Sequence, residues 1–118
     1  MNIWQKTLPT NIEIVYVNGR LDQTLTPQLE TVLNEILTQE QEQIIVDLSQ
    51  VNYINSGGLR CLVSAWRKAR QQSGDLKLSG LNARLSEIFG MVGFDKVFHI
   101  HATPEQAQRA FTEPSEQD

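Results

Sequence analysis

A chain of 118 residues has the length of one ordinary domain, and its 40% hydrophobic and 20% charged content is that of a globular protein rather than a disordered or collagen-like one. The formal net charge of −4 offers no basic footprint, so nucleic acid is not an expected partner. The single cysteine, Cys61, cannot close an internal disulfide, Met1 to Leu8 lacks the apolar stretch of a signal peptide, and no run approaches the roughly 20 apolar residues of a bilayer span. A cytoplasmic protein without direct membrane insertion is expected, though a membrane complex could still recruit it.

The chain opens with a short Ile3 to Lys6 segment, a Pro9-Thr10-Asn11 turn and the β-rich run Ile12 to Val17, which together predict an N-terminal hairpin. Thr26 followed by Pro27 reads as a cap and first-turn proline, and Leu29, Val32, Leu33 and Ile36 recur at helical spacing up to about Gln39. Gln43 to Leu48 (QIIVDL) is a continuous aliphatic run with the character of a central strand covered on both faces. After the stretch YINSGGLR, Leu59, Leu62, Val63 and Trp66 form a second helical stripe, closed by Ser73 and Gly74.

Asp75 to Ser79 (DLKLS) alternates as a strand; Leu81, Leu85, Ile88 and Phe89 predict a short third helix; Val97 to Ile100 predicts a last strand. Thr103 and Pro104 repeat the cap-and-proline start for a helix carrying Ala107, Ala110 and Phe111, and Thr112 to Asp118 is polar enough for a frayed tail. The expected organisation is a single α/β domain over residues 1–111 with the order ββαβαβαβα, a mixed and mostly parallel sheet packed with helices, and a disordered tail over 112–118. In such folds partners and ligands meet the loops at the carboxyl ends of strands. YINSGGLR, between the aliphatic strand and the second helix, lies at such an edge.

Ser56, the one hydroxyl side chain among the glycines, can be read as a nucleophile, a phosphate acceptor, part of an anion cradle or a helix cap. The nucleophile needs a base and an orienting group; the only histidines are His99 and His101, and no GxSxG pattern is present. Gly57 and Gly58 could expose backbone NH groups to an anion, but neither GxxxxGK[ST] nor GxGxxG occurs, so no cofactor is expected. The pattern favours a cap formed by Asn55 or Ser56. His99 and His101 alternate and could share a strand face as metal ligands, but a third ligand is not identifiable and a satisfied or solvent-facing pair is expected. Cys61, without a CxxC partner, is expected to be a small helix residue. Arg60 and Arg67 lie two turns apart on one helical face with Lys68 and Arg70 nearby, a pattern that suits a solvated face or an acidic partner.

Taken together, VDLSQVNYINSGGLR resembles the signature of the STAS domain, the family named for sulfate transporters and anti-sigma factor antagonists, with Asp47, Leu48, Ser49, Val51, Ile54, Ser56, Gly58 and Leu59 in the matching positions. NGRLD from Asn18 to Asp22 is similar to the turn before the family's first helix, and GFDKVFHI from Gly93 to Ile100 to its closing segment. The resemblance spans about Ile12 to Phe111. It implies a non-enzymatic regulatory module of the anti-sigma factor antagonist type, which binds an anti-sigma factor that is also a serine kinase and regulates transcription by partner switching. Phosphorylation of the antagonist breaks that complex in the family, on the hydroxyl residue directly before the SGL glycine. Here that position is Gly57, and the aspartate two residues before it is Asn55. The switch implied by the resemblance is therefore missing at its usual place, with constitutive binding, a scaffold role or an off-register acceptor at Ser56 as the alternatives.

The surface expected to meet the partner comprises Asn55, Ser56, Gly57, Gly58, Leu59, Arg60 and Asp22, with Ser64 and Arg67 one and two turns along the helix. Two other functions remain open on the sequence. One is a soluble STAS subunit of a lipid or anion transporter complex; the other is a small-ligand or nucleotide-binding protein using the Gly57-Gly58 backbone.

Overall fold

The computed structural model describes residues 2–113. Five strands form one sheet in the order β1 (Ile3–Thr7), β2 (Glu13–Leu21), β3 (Gln43–Ile54), β4 (Asp75–Ser79) and β5 (Ile100–His101). β1 and β2 pair antiparallel as a hairpin, Ile3 opposite Val17 and Thr7 opposite Glu13; all other pairs are parallel. Each parallel pair needs a helical crossover. α1 (Thr26–Thr38), α2 (Ser56–Gln71) and α3 (Ala83–Met91) supply them, with a single 3₁₀ turn, Phe94–Lys96, before β5. Because the strands add in sequence order and such crossovers are right-handed, all three helices fall on one face of the sheet. α4 (Pro104–Thr112) returns across the other face.

The two-residue period of the strands sorts their side chains between these layers. Ile44, Val46 and Leu48 of β3 join Val15, Val17, Leu76 and Leu78 in the large core beneath α1–α3. Ile45 points the other way and, with Leu8, Ile12, Ile14 and Ala107, forms the smaller core beneath α4, flanked by Tyr16 and Phe111. A strand buried on both faces is thus what the QIIVDL run encodes.

The structure departs from the sequence expectations at several boundaries. β3 runs on to Ile54, well past Leu48. The last strand is Ile100–His101 rather than Val97–Ile100. Thr26 is the first helical residue of α1 and makes no cap bond; its hydroxyl is buried without a partner. Thr112, expected to open a frayed tail, is instead the last residue of α4, and the 114–118 part of that expectation lies outside the described residues. No helix of the described residues is long and apolar enough to cross a membrane.

Candidate functional site

β2 and β3 both outrun β4, and their last residues pair with each other: Asn18 with Gln50, Gly19 with Val51, Arg20 with Tyr53, Leu21 with Ile54. The Asn55 amide then donates to the Leu21 carbonyl at 3.1 Å, which ties the end of β2 to the start of α2. This is how residues 33 positions apart, Asp22 and Asn55, come to share one carboxyl edge of the sheet.

The α2 start is built by Asn55, whose extended backbone leads into the helix and whose Oδ1 accepts the Gly58 amide at 2.9 Å. Ser56 follows as the first helical residue, exposed and outside this cap. Of the two cap candidates in the sequence, Asn55 therefore takes the role, and Ser56 does not. Gly58 is required by proximity: a Cβ there would stand 2.8 Å from Ile54 Cγ1 and 3.2 Å from Leu21 Cβ, so only glycine lets α2 descend onto the strand ends. Gly57 is different. A Cβ at that position would meet only Asn55 Oδ1 at 3.4 Å and Arg60 Nη2 at 3.8 Å, ordinary contacts on an open surface.

Beside this helix start, Asp22 folds its carboxylate back on the loop, Oδ1 accepting the amides of Thr24 at 3.0 Å and Leu25 at 3.2 Å. The backbone bonds, that from Leu25 first and that from Thr24 next, hold its pKa below the usual carboxylate value, with the nearby Arg20 charge adding a little. Asp22 is thus the element that closes the turn before α1, the task that Thr26 does not perform. Arg20 lies 4.0 Å from the Asp22 carboxylate and places its guanidinium 4.0 Å from the centre of the exposed Tyr53 ring. The sequence reading passed over Arg20 and Tyr53; only the strand register makes them neighbours.

Farther along α2, Arg60, Ser64 and Arg67 line one groove with Val63 and with Phe94 of the 3₁₀ turn. Leu59 is half-buried and packs against the large core, so it anchors the helix more than it presents a surface. Cys61 is buried, and burial, with Glu30 second, pushes its thiol up to about 11, which leaves it protonated and unreactive at neutral pH. The histidines are placed elsewhere. His99 Nδ1 lies 3.2 Å from Lys77 Nζ and 3.5 Å from Asp75, and among the described residues no cluster of three His, Cys, Asp or Glu is arranged to hold a metal.

Against known proteins, the family model described as STAS domain matches residues 4–107. The chain is 30% identical over 86 residues to an anti-sigma-B factor antagonist of Listeria monocytogenes, covering 73% of this chain and 75% of that protein. It is 30% identical over 91 residues to the anti-sigma-B factor antagonist of Staphylococcus aureus, covering 77% and 84%. Among solved structures, an anti-sigma factor antagonist from Mycobacterium paratuberculosis superposes with a TM-score of 0.86 over 95% of this chain and 94% of that one; at 21% identity this is a likeness of fold. The family match across nearly the whole described chain, the relatives at 30% identity and a five-stranded mixed sheet covered by four helices agree: the chain belongs to the STAS domain family.

Proposed function

We propose that this protein is a non-enzymatic regulatory module, an anti-sigma factor antagonist that binds an anti-sigma factor of the serine-kinase type. Its contact surface is the shared edge of Asp22 and the α2 start, with Asn55, Ser56, Gly57 and Arg60 outermost. The observation that carries the reading is the construction of this edge: β2, β3 and α2 are held together by the Asn55–Leu21 bond and by the close approach at Gly58, and the exposed Ser56 and Arg60 stand on it, which suits docking to a protein. The names of the relatives, anti-sigma-B factor antagonists, support the choice of partner.

Gly57 stands where the family resemblance places a phosphoacceptor, and a residue without a hydroxyl cannot be switched there. The partner is accordingly released by competition or by its own change of state. The test is isothermal titration of the protein against the anti-sigma-type kinases encoded in its genome, together with the Gly57→Asp variant. Asp at Gly57 meets only Asn55 Oδ1 and Arg60 Nη2 at ordinary contact distance, and lies at the positive end of the α2 dipole, so the melting temperature should hold or rise slightly. In the complex the same carboxylate would be buried against the partner with only Arg60 beside it, at a desolvation cost of about 2 kcal/mol or more, so affinity should fall at least tenfold. Unchanged affinity would remove the α2 start from the interface, and stoichiometric phosphate on Ser56 after incubation with kinase and ATP would restore a covalent switch at a shifted position.

A further inference from the structure

Charge in this protein is strongly segregated. Of ten basic residues, four (Arg60, Arg67, Lys68 and Arg70) lie in the 16 residues of α2, which holds none of the fourteen acidic ones. The remainder of the chain therefore carries six basic against fourteen acidic residues, a net −8 beside a helix of +4. Within α2, Arg60, Val63, Ser64 and Arg67 recur at i, i+3, i+4 and i+7 and form one wall of a groove of about 330 Å³, whose other wall is Phe94. Both arginines are exposed, and among the described residues neither has a carboxylate within ion-pair distance. The Phe94 wall is apolar and firmly held: Phe94 packs edge-on against Phe89 and Phe98 at ring-centre distances of 6.3 and 6.2 Å. Just before it in the chain, Met91 and Val92 are 77% and 48% exposed, far more than core residues of their type.

We infer that this groove is the docking site for an acidic amphipathic helix of the partner protein, with one apolar side chain seated between Val63 and Phe94 and two carboxylates engaging Arg60 and Arg67. The inference rests on the reading of α2 as the partner-facing helix and supplies the chemistry of what it faces. Seven residues of helix set the two guanidinium anchors about 10 Å apart along the axis, which matches acidic residues two turns apart on the incoming helix. The alternatives for a basic helix fit less well. Nucleic acid would meet the net negative charge of the rest of the chain, and an anionic bilayer would need the apolar side chains on a protruding face, whereas Val63 and Phe94 line a recess.

The test is a titration of the full-length protein, labelled with ¹⁵N, with a synthetic helical peptide carrying two glutamates seven residues apart and a leucine midway. The isomer with lysines in place of the glutamates, phosphatidylserine vesicles and a short DNA duplex are run in parallel. The acidic peptide should shift the amide signals of Val63, Ser64, Arg67 and Phe94, its affinity should fall at least tenfold in the Arg60→Glu/Arg67→Glu variant with an unchanged melting curve, and that variant should take the lysine peptide instead. No shift at these amides, equal response to both peptides, stronger binding of vesicles or DNA, or self-association through the same residues would each overturn it. The two readings fail separately. If Gly57→Asp weakens the kinase complex while the peptide leaves the groove silent, only the groove assignment falls; if the peptide binds while Gly57→Asp is inert, the α2 start leaves the interface.

Discussion

Asn55 Oδ1 satisfies one of the amide donors left open in the first turn of α2. Asn55→Ala should cost about 1 kcal/mol in urea unfolding, the usual loss on removing a cap, whereas Ser56→Ala should stay within about 0.5 kcal/mol because the exposed serine hydroxyl takes no part in the cap. The reverse ranking would mean that the serine, not the asparagine, holds the helix start. From the sequence the two were interchangeable, since both residue types are good caps. The choice is made by β3: its strand continues through Ile54, so Asn55 inherits the extended backbone that a capping residue needs, and Ser56 enters the helix. The family resemblance separates the adjacent glycines, with Gly58 in a matching position and Gly57 in that of the hydroxyl residue, but it gives no physical reason. Nothing local distinguishes Gly57 from Gly58; only the approach of Ile54 and Leu21 makes the second irreplaceable.

At the scale of elements, the end of α2 shows how two residues divide a stop signal. Ser73 takes the left-handed backbone, φ 68°, that glycine usually supplies, while Gly74 donates to the Ala69 carbonyl at 2.8 Å and is needed because a Cβ there would lie 2.1 Å from the Glu42 carbonyl oxygen. Ser73→Gly should therefore raise stability by about 0.5 kcal/mol, the relief of left-handed strain less the greater freedom of an unfolded glycine, and Gly74→Ala should lower it. Urea midpoints that moved the other way would show that the strain at Ser73 is offset by contacts of its side chain. The stop itself was legible in the Ser-Gly pair, but the length of β3 was not. Beyond Leu48 the strand is a two-stranded ribbon with β2, only Val51 and Ile54 turn inward, and the exposed Ser49, Gln50, Asn52 and Tyr53 break the apolar run that marks a central strand. Val97 to Ile100 misled in the opposite way. Phe98 is apolar because it packs with Phe89, Phe94 and Trp66 in an aromatic cluster after the 3₁₀ turn, and regular pairing with β4 is confined to Ile100 and His101.

Across the whole molecule the two faces of the sheet are stabilised by different means. Three helices cover one face with aliphatic and aromatic packing, while α4 alone covers the other, where β4 buries Asp75, Lys77 and Ser79. The alternating DLKLS pattern suggests a half-exposed strand, yet all five residues are buried, because these polar groups satisfy one another. Lys77 Nζ reaches Asp75 at 3.3 Å and sits 4.8 Å from the Phe111 ring centre, and Ser79 donates to Asp47 at 2.9 Å. His101, paired with Ser79 at the end of this polar layer, has a buried Nε2 without a partner. Burial first, then the charges of Lys77 and His99, lowers its pKa below the ordinary 6.5, with Asp75 acting weakly in the opposite sense. The folded protein then binds a proton at His101 less readily than the unfolded chain. Its contribution to stability is complete above 6.5 and is lost as the pH falls from there through the folded-state value. Asp22, whose pKa is depressed below 3.8, keeps its contribution above 3.8 and loses it only as the pH falls further. Urea unfolding at about pH 7.5 and about pH 5.5 should show a loss of stability in the wild-type protein that is clearly smaller in His101→Gln, which lacks the group that gains a proton on unfolding. Equal losses in the two proteins would place the acid sensitivity elsewhere and leave His101 as a packing residue of the α4 face.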